Sequence, residues 1–148
     1  MELSKTEKEG QAMTTIKQFE NVRNWAKIRG IKDTNPQMQY QRFLQEATEI
    51  HNAMILNDFQ DVADAIGDTI VTLINLAQAM GMNAEDCLEV AFKEIECRKG
   101  LTRNGEFIRY KKLTGAERNI CDELQGNRGN HYFNPNMLDI FKPENFKG

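Results

Sequence analysis

Apolar residues recur at spacings of three and four along most of the chain, which is the period of an α-helix that is buried on one side. Four segments show this pattern. Their apolar positions, in chain order, are Ile16, Phe19, Val22 and Ala26; Phe43, Ala47, Ile50 and Met54; Val62, Ile66, Ile70, Leu73 and Ala77; and Leu88, Ala91, Phe92 and Ile95. The pattern predicts four helices and almost no strand, and therefore an all-α fold.

Glycine, proline and polar capping residues predict where these helices begin and end. Gly30 is a suitable stop for the first helix, and Asn35 followed by Pro36 is typical of the cap and first turn of the second. A turn near Asn57 joins the second helix to the third. We expect Gly100 to end the fourth.

The third predicted helix has the widest apolar surface of the four. Val71, Ile74 and Leu76 lie outside its main stripe and extend it. A helix that is apolar around so much of its circumference is usually buried on more than one side. We therefore expect this helix to pack against other helices and against a second subunit.

The 148 residues divide into three parts by pattern. Residues 1–12 are polar and aperiodic, which predicts a flexible N-terminus. Residues 13–112 form the predicted helical domain, which closes with a tight turn at Asn104-Gly105 and a short extended segment at Phe107-Ile108. Residues 113–148 form a C-terminal extension, with a short helix over residues 116–124 and a loop after it.

Composition limits the kinds of partner and the cellular location that we expect for the protein. A net charge of -3 gives no broad basic surface, so nucleic-acid binding is not expected. Three widely spaced cysteines without a CxxC pair indicate neither a disulfide framework nor a zinc ribbon, which favours a reducing cytoplasmic location. The chain starts without an apolar leader, and its longest apolar stretch, residues 65–82, is interrupted by polar residues. We expect no membrane span.

Two acidic pairs are placed to meet across the turn at Asn57. Glu46 and Glu49 precede the turn, and Asp64 and Asp68 follow it, at spacings that put each pair on one helix face. In an antiparallel helix pair, with axes roughly 8 to 10 Å apart, Glu46 is level with Asp68 and Glu49 with Asp64. Carboxylates this close repel one another unless they hold a cation, and their oxygens suit Mg²⁺ or Mn²⁺.

Solvated helix faces also carry acids at this spacing, so Glu46 and Glu49 alone leave both interpretations open. Asp68 favours the metal site, because it lies between Ile66 and Ile70 within an apolar run. A buried carboxylate without a partner is costly. We therefore expect Asp68 to be buried and to bind a ligand.

A group of basic residues follows at the end of the fourth helix and just after it. Its members are Lys93, Arg98, Lys99, Arg103, Arg109 and Lys111. Basic residues at this end of a helix can simply complement the helix dipole. Together with a magnesium site, however, they suit a polyphosphate.

In their order and spacing, these motifs resemble the MazG-like, all-α nucleoside triphosphate pyrophosphohydrolases over about residues 20–111. Residues 22–31, which include Trp25, are similar to the opening helix of that family. Gln39 and Arg42 fall where members of that family tend to carry a glutamine and a lysine. Residues 45–49 resemble its EExxE motif, and residues 65–68 its ExxD motif. Residues 94–109 look like its closing RKG, turn and G-x-F-x-K segment.

The resemblance implies a four-helix MazG-like bundle that assembles as a homodimer or homotetramer. It also implies Mg²⁺-dependent cleavage of a nucleoside triphosphate between the α and β phosphates, which yields a nucleoside monophosphate and pyrophosphate. The implied metal ligands are Glu46, Glu49, Asp64 and Asp68, and the implied catalytic residues are Glu46, Glu49 and Asp68. The implied substrate contacts are Arg98, Lys99, Arg109, Lys93 and Trp25, although Trp25 also suits a core or interface position.

Two residues depart from the family pattern. Gln45 replaces the first glutamate of EExxE, and Ala65 replaces the glutamate of ExxD. Each change removes a carboxylate, although Asp61 or Asp64 can compensate for Ala65. The alternative is therefore a catalytically impaired nucleotide-binding protein, or a helical interaction protein, of the same fold.

Overall fold

A computed structural model of the chain describes residues 4–126. Their helices are α1 (Lys5–Ile28), α2 (Pro36–Ile55), α3 (Phe59–Ala79), α4 (Ala84–Glu96) and α5 (Gly115–Gln125). Two strands, β1 (Gly100–Arg103) and β2 (Glu106–Arg109), and two single 3₁₀ turns, Ile31–Asp33 and Tyr110–Lys112, complete the order. The predicted helical class is thus confirmed in outline, with a small two-stranded sheet added to it.

The first helix is longer than its apolar pattern indicates. It begins at Lys5, so most of the segment that the pattern predicts to be a flexible terminus is helical. The helix ends at Ile28, just before Gly30, which adopts the left-handed conformation at φ 73°. Glycine adopts this conformation without steric cost, which explains why the helix stops there.

The start of α2 is as predicted. The side chain of Asn35 accepts a hydrogen bond from the backbone N–H of Gln37 at 2.9 Å. Pro36 occupies the first helical position, where a backbone N–H has no partner inside the helix. Both residues therefore fix the helix start locally, without help from tertiary packing.

A tight turn joins α2 to α3, and these two helices form the most extensive helix pair in the described chain. Asn57 lies in this turn at φ 52°, a left-handed conformation that asparagine tolerates better than most residues. Asp58 then caps α3 by accepting a hydrogen bond from the N–H of Asp61 at 3.1 Å. The predicted helical hairpin near Asn57 is confirmed.

The described residues belong to two compact units, 4–84 and 85–126. The division falls within residues 13–112, which the pattern analysis treats as one domain. In the first unit, small and β-branched side chains make up the buried core, including Ala26, Ala53, Ala65 and Ile74. Helix α1 packs against α3 in this unit.

Much of the apolar surface of α3 is open. Ile66, Ile70 and Leu73, at spacings of four and three, are each more than 40 % exposed. Phe59, at the start of the helix, is 80 % exposed. The predicted wide apolar surface is therefore present but is not covered by the other helices of the first unit.

The second unit contains α4, the β-hairpin and α5. Gly100 pairs with Arg109 at the open end of the hairpin. At the other end, Asn104 and Gly105 both have positive φ, 53° and 81°, as a two-residue hairpin turn requires. The predicted tight turn is therefore confirmed.

The prediction that Gly100 ends the fourth helix is wrong. Helix α4 ends at Glu96, and Gly100 is the first residue of β1. A Cβ atom at this position would overlap the carbonyl oxygen of Ile108 and lie 2.7 Å from Cζ of Phe107. Glycine is required here because the partner strand approaches closely, and not because a helix stops.

Helix α5 confirms the short helix predicted over residues 116–124. Thr114 and Glu117 form a capping box, in which each side chain accepts a hydrogen bond from the other residue's backbone N–H. Cys121, on the inner face of the helix, is fully buried. The loop predicted after this helix lies outside the described residues.

Within residues 4–126, no single helix is both long enough and apolar enough to cross a membrane. Helices α3 and α4 reach the length and apolar character of a membrane span only when they are counted together as one span with a bend between them.

Candidate functional site

Glu46 is the buried acid of the predicted cluster. It is 8 % exposed and lies on the side of α2 that also carries the buried residues Gln39 and Ala53. These three positions are seven residues apart, about two helical turns, so they form one seam along the helix. The seven-residue spacing along α2 thus places the carboxyl group of Glu46 on the buried side of the helix.

The pKa of Glu46 is affected by two other carboxyl groups, one on the same helix and one on α3. Burial raises the pKa of Glu46 most, and the negative charges of Glu49 on α2 and Asp68 on α3 raise it further. A hydrogen bond between the side chains of Glu46 and Glu49 acts in the same direction. The influence of Asp68 agrees with the predicted register of the helix pair, in which Asp68 is level with Glu46.

Arg42, which lies just ahead of the EExxE-like segment, also belongs to this site, and its pairing with Glu46 was not predicted from the sequence. Its Nη2 atom lies 3.5 Å from Oε1 of Glu46, and its Nη1 atom donates a hydrogen bond to Gln45 at 3.2 Å. Its positive charge lowers the pKa of Glu46 but does not cancel the opposing effects. The spacing of four between Arg42 and Glu46 on one helix was a signal that could have found this pair.

The prediction that Asp68 is buried is wrong. Asp68 is exposed, as are Asp64 and Glu49. Ile66 and Ile70, the apolar neighbours on which the prediction depends, are two positions from Asp68 and therefore project from a different side of the helix. Both are themselves exposed. The candidate site therefore has one buried carboxyl group and three that face solvent.

These carboxylates influence one another without forming a ready-made coordination sphere. Among the residues that the structure describes, no three histidine, cysteine, aspartate or glutamate side chains are placed to hold a metal ion together. Asp64 lies on the exposed surface of α3, one turn before Asp68. The carboxylates around Glu46 therefore repel one another, and the exposed ones must move before they can bind one ligand together.

Three of the basic residues implied as substrate contacts have acidic partners in the second unit. Lys93 lies 3.4 Å from Glu96, and Arg98 pairs with Glu94. Lys99 pairs with Asp122 and is described below. Arg109 is exposed and has no ion pair within residues 4–126.

Lys99 joins the hairpin to α5. Its side chain is buried, and its Nζ atom donates a hydrogen bond to Oδ1 of Asp122 at 2.5 Å. The hydroxyl of Tyr110 donates to the other oxygen of Asp122 at 2.9 Å. The bond to Asp122 raises the pKa of Lys99, and both bonds lower the pKa of Asp122. Lys99 therefore has a structural role in the described chain.

Trp25 lies in the first unit and is 46 % exposed, so it is not a core residue. The guanidinium of Arg29 lies over its ring, 4.6 Å from the ring centre, and donates a hydrogen bond to the Trp25 carbonyl at 3.1 Å. A base that stacks on this face of the ring would have to displace Arg29.

The predicted roles of the acidic residues, the basic residues and Trp25 stay predictions, as does the resemblance from which they were taken. The chain was compared with models of protein families, with curated proteins and with solved structures, and none of them matches it.

Proposed function

We propose that the chain is a MazG-like nucleoside triphosphate pyrophosphohydrolase that requires Mg²⁺ and releases a nucleoside monophosphate and pyrophosphate. The observation that supports this most directly is the burial of Glu46 near the carboxyl groups of Glu49 and Asp68. Glu46 is buried, and Glu49 and Asp68 repel its charge from two helices. A divalent cation would relieve this repulsion, because it attracts all three carboxylates.

The chemistry of the side chains fits Mg²⁺. Carboxylate oxygens are the ligands that this ion prefers, and Mn²⁺ accepts the same set. Glu46 would hold the ion from the buried side. The exposed ligands Glu49, Asp64 and Asp68 can change rotamer on the nanosecond scale to complete the site. When bound, the ion would neutralise charge on the triphosphate and polarise the bridge between its α and β phosphates.

The carboxylates differ in exposure to solvent, and each would therefore have a different role in the reaction. Glu46, which is buried and held by Arg42, has a fixed position and little access to solvent. Glu49 and Asp68 are open to water, so either can accept a hydrogen bond from the attacking water and take its proton. Glu46 therefore serves mainly in binding, and one of the two exposed acids in orienting the nucleophile.

Substrate contact is proposed for Arg98, Lys99, Arg109, Lys93 and Trp25. Arg109 is the strongest of these candidates, because it is exposed and has no ion pair within the described residues. Lys99 is the weakest, since Asp122 already accepts its hydrogen bond. An R109A variant should raise KM more than it lowers kcat if Arg109 binds the phosphates.

We also propose that the protein forms a homodimer or homotetramer through α3. Ile66, Ile70 and Leu73 form one exposed apolar row, and two of them flank Asp68 in the sequence. Covering this row would remove apolar surface from water. Sedimentation equilibrium should give an oligomer at micromolar concentration, and an I70E variant should shift it toward monomer.

The second candidate function is nucleotide binding or helical assembly without catalysis. Two observations favour it. Gln45, which stands where the family motif has an acid, accepts a hydrogen bond from Arg42. In addition, no three potential ligands are grouped within residues 4–126. This alternative predicts folded, oligomeric protein without turnover.

The deciding experiment measures monophosphate and pyrophosphate release from a panel of ribo- and deoxyribonucleoside triphosphates, with Mg²⁺ and with a chelator. We expect release of both products only with the metal, and its loss in a D68N variant. D86N makes the same chemical change at an exposed position on α4 and is the matched control. Turnover in D68N at the wild-type rate would exclude the proposed site, and folded protein that releases nothing would favour the second candidate.

A further inference from the structure

A separate cleft lies in the first unit, where α1, the 3₁₀ turn Ile31–Asp33 and the C-terminal end of α3 come together. Its volume is about 800 Å³, within the range of roughly 300 to 1,000 Å³ that is usual for small-molecule sites. Gln78, in its wall, lies ten residues after Asp68 on α3, which corresponds to roughly 15 Å along the helix. The cleft is therefore distinct from the acidic site.

The walls of this cleft are basic in a chain whose net charge is -3. Arg23 and Lys27 from α1 and Lys32 from the 3₁₀ turn line it, against a single carboxylate, Asp33. Lys27 and Lys32 are exposed, and neither takes part in an ion pair within residues 4–126. An anion in the cleft would meet ammonium groups that are not engaged elsewhere in this range.

The helix ends beside the cleft do not need these lysines as hydrogen-bond donors. The carbonyl of Lys27 accepts from the N–H of Gly30 at 3.2 Å, and that of Gln78 accepts from the N–H of Gly81 at 3.0 Å. Backbone groups therefore satisfy both carbonyls locally. The donor capacity of the two lysine side chains remains available to a ligand.

Gln78 provides a second and independent observation that points to a ligand in this cleft. Its Oε1 atom is buried, and it accepts no hydrogen bond from any residue that the structure describes. Buried polar atoms nearly always have a partner, so such an atom calls for an explanation. Asn75, one turn earlier on α3, has a buried Oδ1 atom in the same condition. Gln78 lines the cleft, so a rotation of its side chain would bring this oxygen to a ligand that carries an N–H or O–H group.

We infer that this cleft is a second ligand site, which binds a small phosphorylated molecule that also carries a hydrogen-bond donor. The phosphate meets Lys27, Lys32 and Arg23, and the donor meets Gln78. Nucleoside monophosphates are suitable probes, because they combine a phosphate with hydroxyl and amino groups and fit the volume of the cleft. Binding here needs no metal ion and does not depend on the proposed hydrolysis.

The test measures equilibrium binding of AMP, GMP, CMP, UMP and inorganic pyrophosphate in a chelating buffer. Without metal, the acidic site repels phosphate, so its failure or success as a catalyst does not affect this result. The single tryptophan, Trp25, lies on α1 between Arg23 and Lys27 in sequence and provides a fluorescence signal. Calorimetry checks the same affinities independently.

A K27A/K32A variant should bind every probe at least tenfold more weakly than the wild type. K5A/K17A, which removes two exposed lysines outside the cleft, is the matched control and should bind within twofold of the wild type. A Q78M variant keeps the length of the side chain but loses its oxygen. It should weaken nucleoside monophosphates at least threefold and pyrophosphate less than twofold, because pyrophosphate has no ribose hydroxyl or base amino group to donate to Gln78.

Three results would overturn the inference. Folded wild-type protein that binds none of the probes would exclude a site of this chemistry. Unchanged affinity in K27A/K32A, with only a lower melting temperature, would mean that the lysines merely complement the helix dipoles. Equal weakening in K5A/K17A would mean unspecific attraction. If K27A/K32A does not fold, K32E on the exposed 3₁₀ turn takes its place, and unchanged binding there also overturns the inference.

Discussion

An alanine at Gly100 should destabilise the second unit, although general propensity predicts the opposite. In a strand, alanine is usually more favourable than glycine by about 0.5 to 1 kcal/mol. Here the new Cβ would lie well inside the 3.0 Å that real Cβ atoms keep from the Ile108 carbonyl oxygen. That oxygen belongs to the backbone of β2, so no side-chain rotation can relieve the overlap.

The size of the destabilisation by G100A follows from the backbone that the new Cβ would displace. Overpacking of this kind costs about 1 to 3 kcal/mol, and backbone overlap places it at the upper end. The backbone N–H of Gly100 also donates to Gln125 at 3.3 Å, and Gln125 donates back to the Gly100 carbonyl at 2.5 Å. Each bond contributes about 1 kcal/mol, and a displaced strand weakens both. We expect a loss of about 3 kcal/mol or more.

Urea unfolding followed by far-UV circular dichroism measures this loss, and hydrogen exchange of the β1 and α5 amides assigns it to the second unit. With a slope of about 1 to 3 kcal/mol per molar urea, a loss of about 3 kcal/mol lowers the midpoint by on the order of 1 to 3 M. Gly115, the first residue of α5, has open space around a Cβ, so G115A should stay within about 0.5 kcal/mol of the wild type. A G100A midpoint equal to or above that of the wild type would refute the reasoning.

Three further variants test other features. Hydrogen bonds from Lys99 and Tyr110 lower the pKa of Asp122 from 3.8, so this carboxylate stabilises the fold above that pH and the contribution is lost as pH falls below it. D122N should therefore lower the melting temperature at pH 7 by a few degrees, and a difference that persists at pH 2 would contradict this. The pKa of Glu46 is raised from 4.5, so its charge destabilises the metal-free fold increasingly as pH rises above that value. E46Q should raise the melting temperature at pH 7 in chelator and have little effect at pH 4; a lower melting temperature at pH 7 would show that the pairing with Arg42 dominates. Gly67 has open space around a Cβ within α3, so G67A should stabilise the protein by about 0.5 to 1 kcal/mol in urea unfolding, and destabilisation would indicate a contact that the structure does not show.

Features that depend on neighbouring residues could be predicted from the sequence. Asn35 with Pro36 marks the start of α2, and Asn104-Gly105 marks the hairpin turn, because a cap or a two-residue turn is decided within a few residues. The level position of Glu46 and Asp68 was also predictable, since a tight turn between two helices fixes their register.

Features that depend on tertiary packing could not be predicted in this way. Asp68 lies in an apolar run but is exposed, because Ile66 and Ile70 do not share its helix face and its burial depends on what packs against its own face. The partner of Lys99 is Asp122, 23 residues away, and no spacing rule connects them. Gly100 follows a helix, so its sequence position resembles a helix stop even though close approach of β2 is the actual reason for glycine.

The contacts between the hairpin and α5 also bear on how the chain folds. The hydrogen bonds that join them connect residues only 7 to 25 positions apart. Folds built from such local contacts close small loops and form fast, because little chain entropy is lost before the contacts are made. The α2–α3 hairpin is equally local and precedes this region in synthesis. Its two helices can therefore pair on the ribosome while α4, the strands and α5 are still being added.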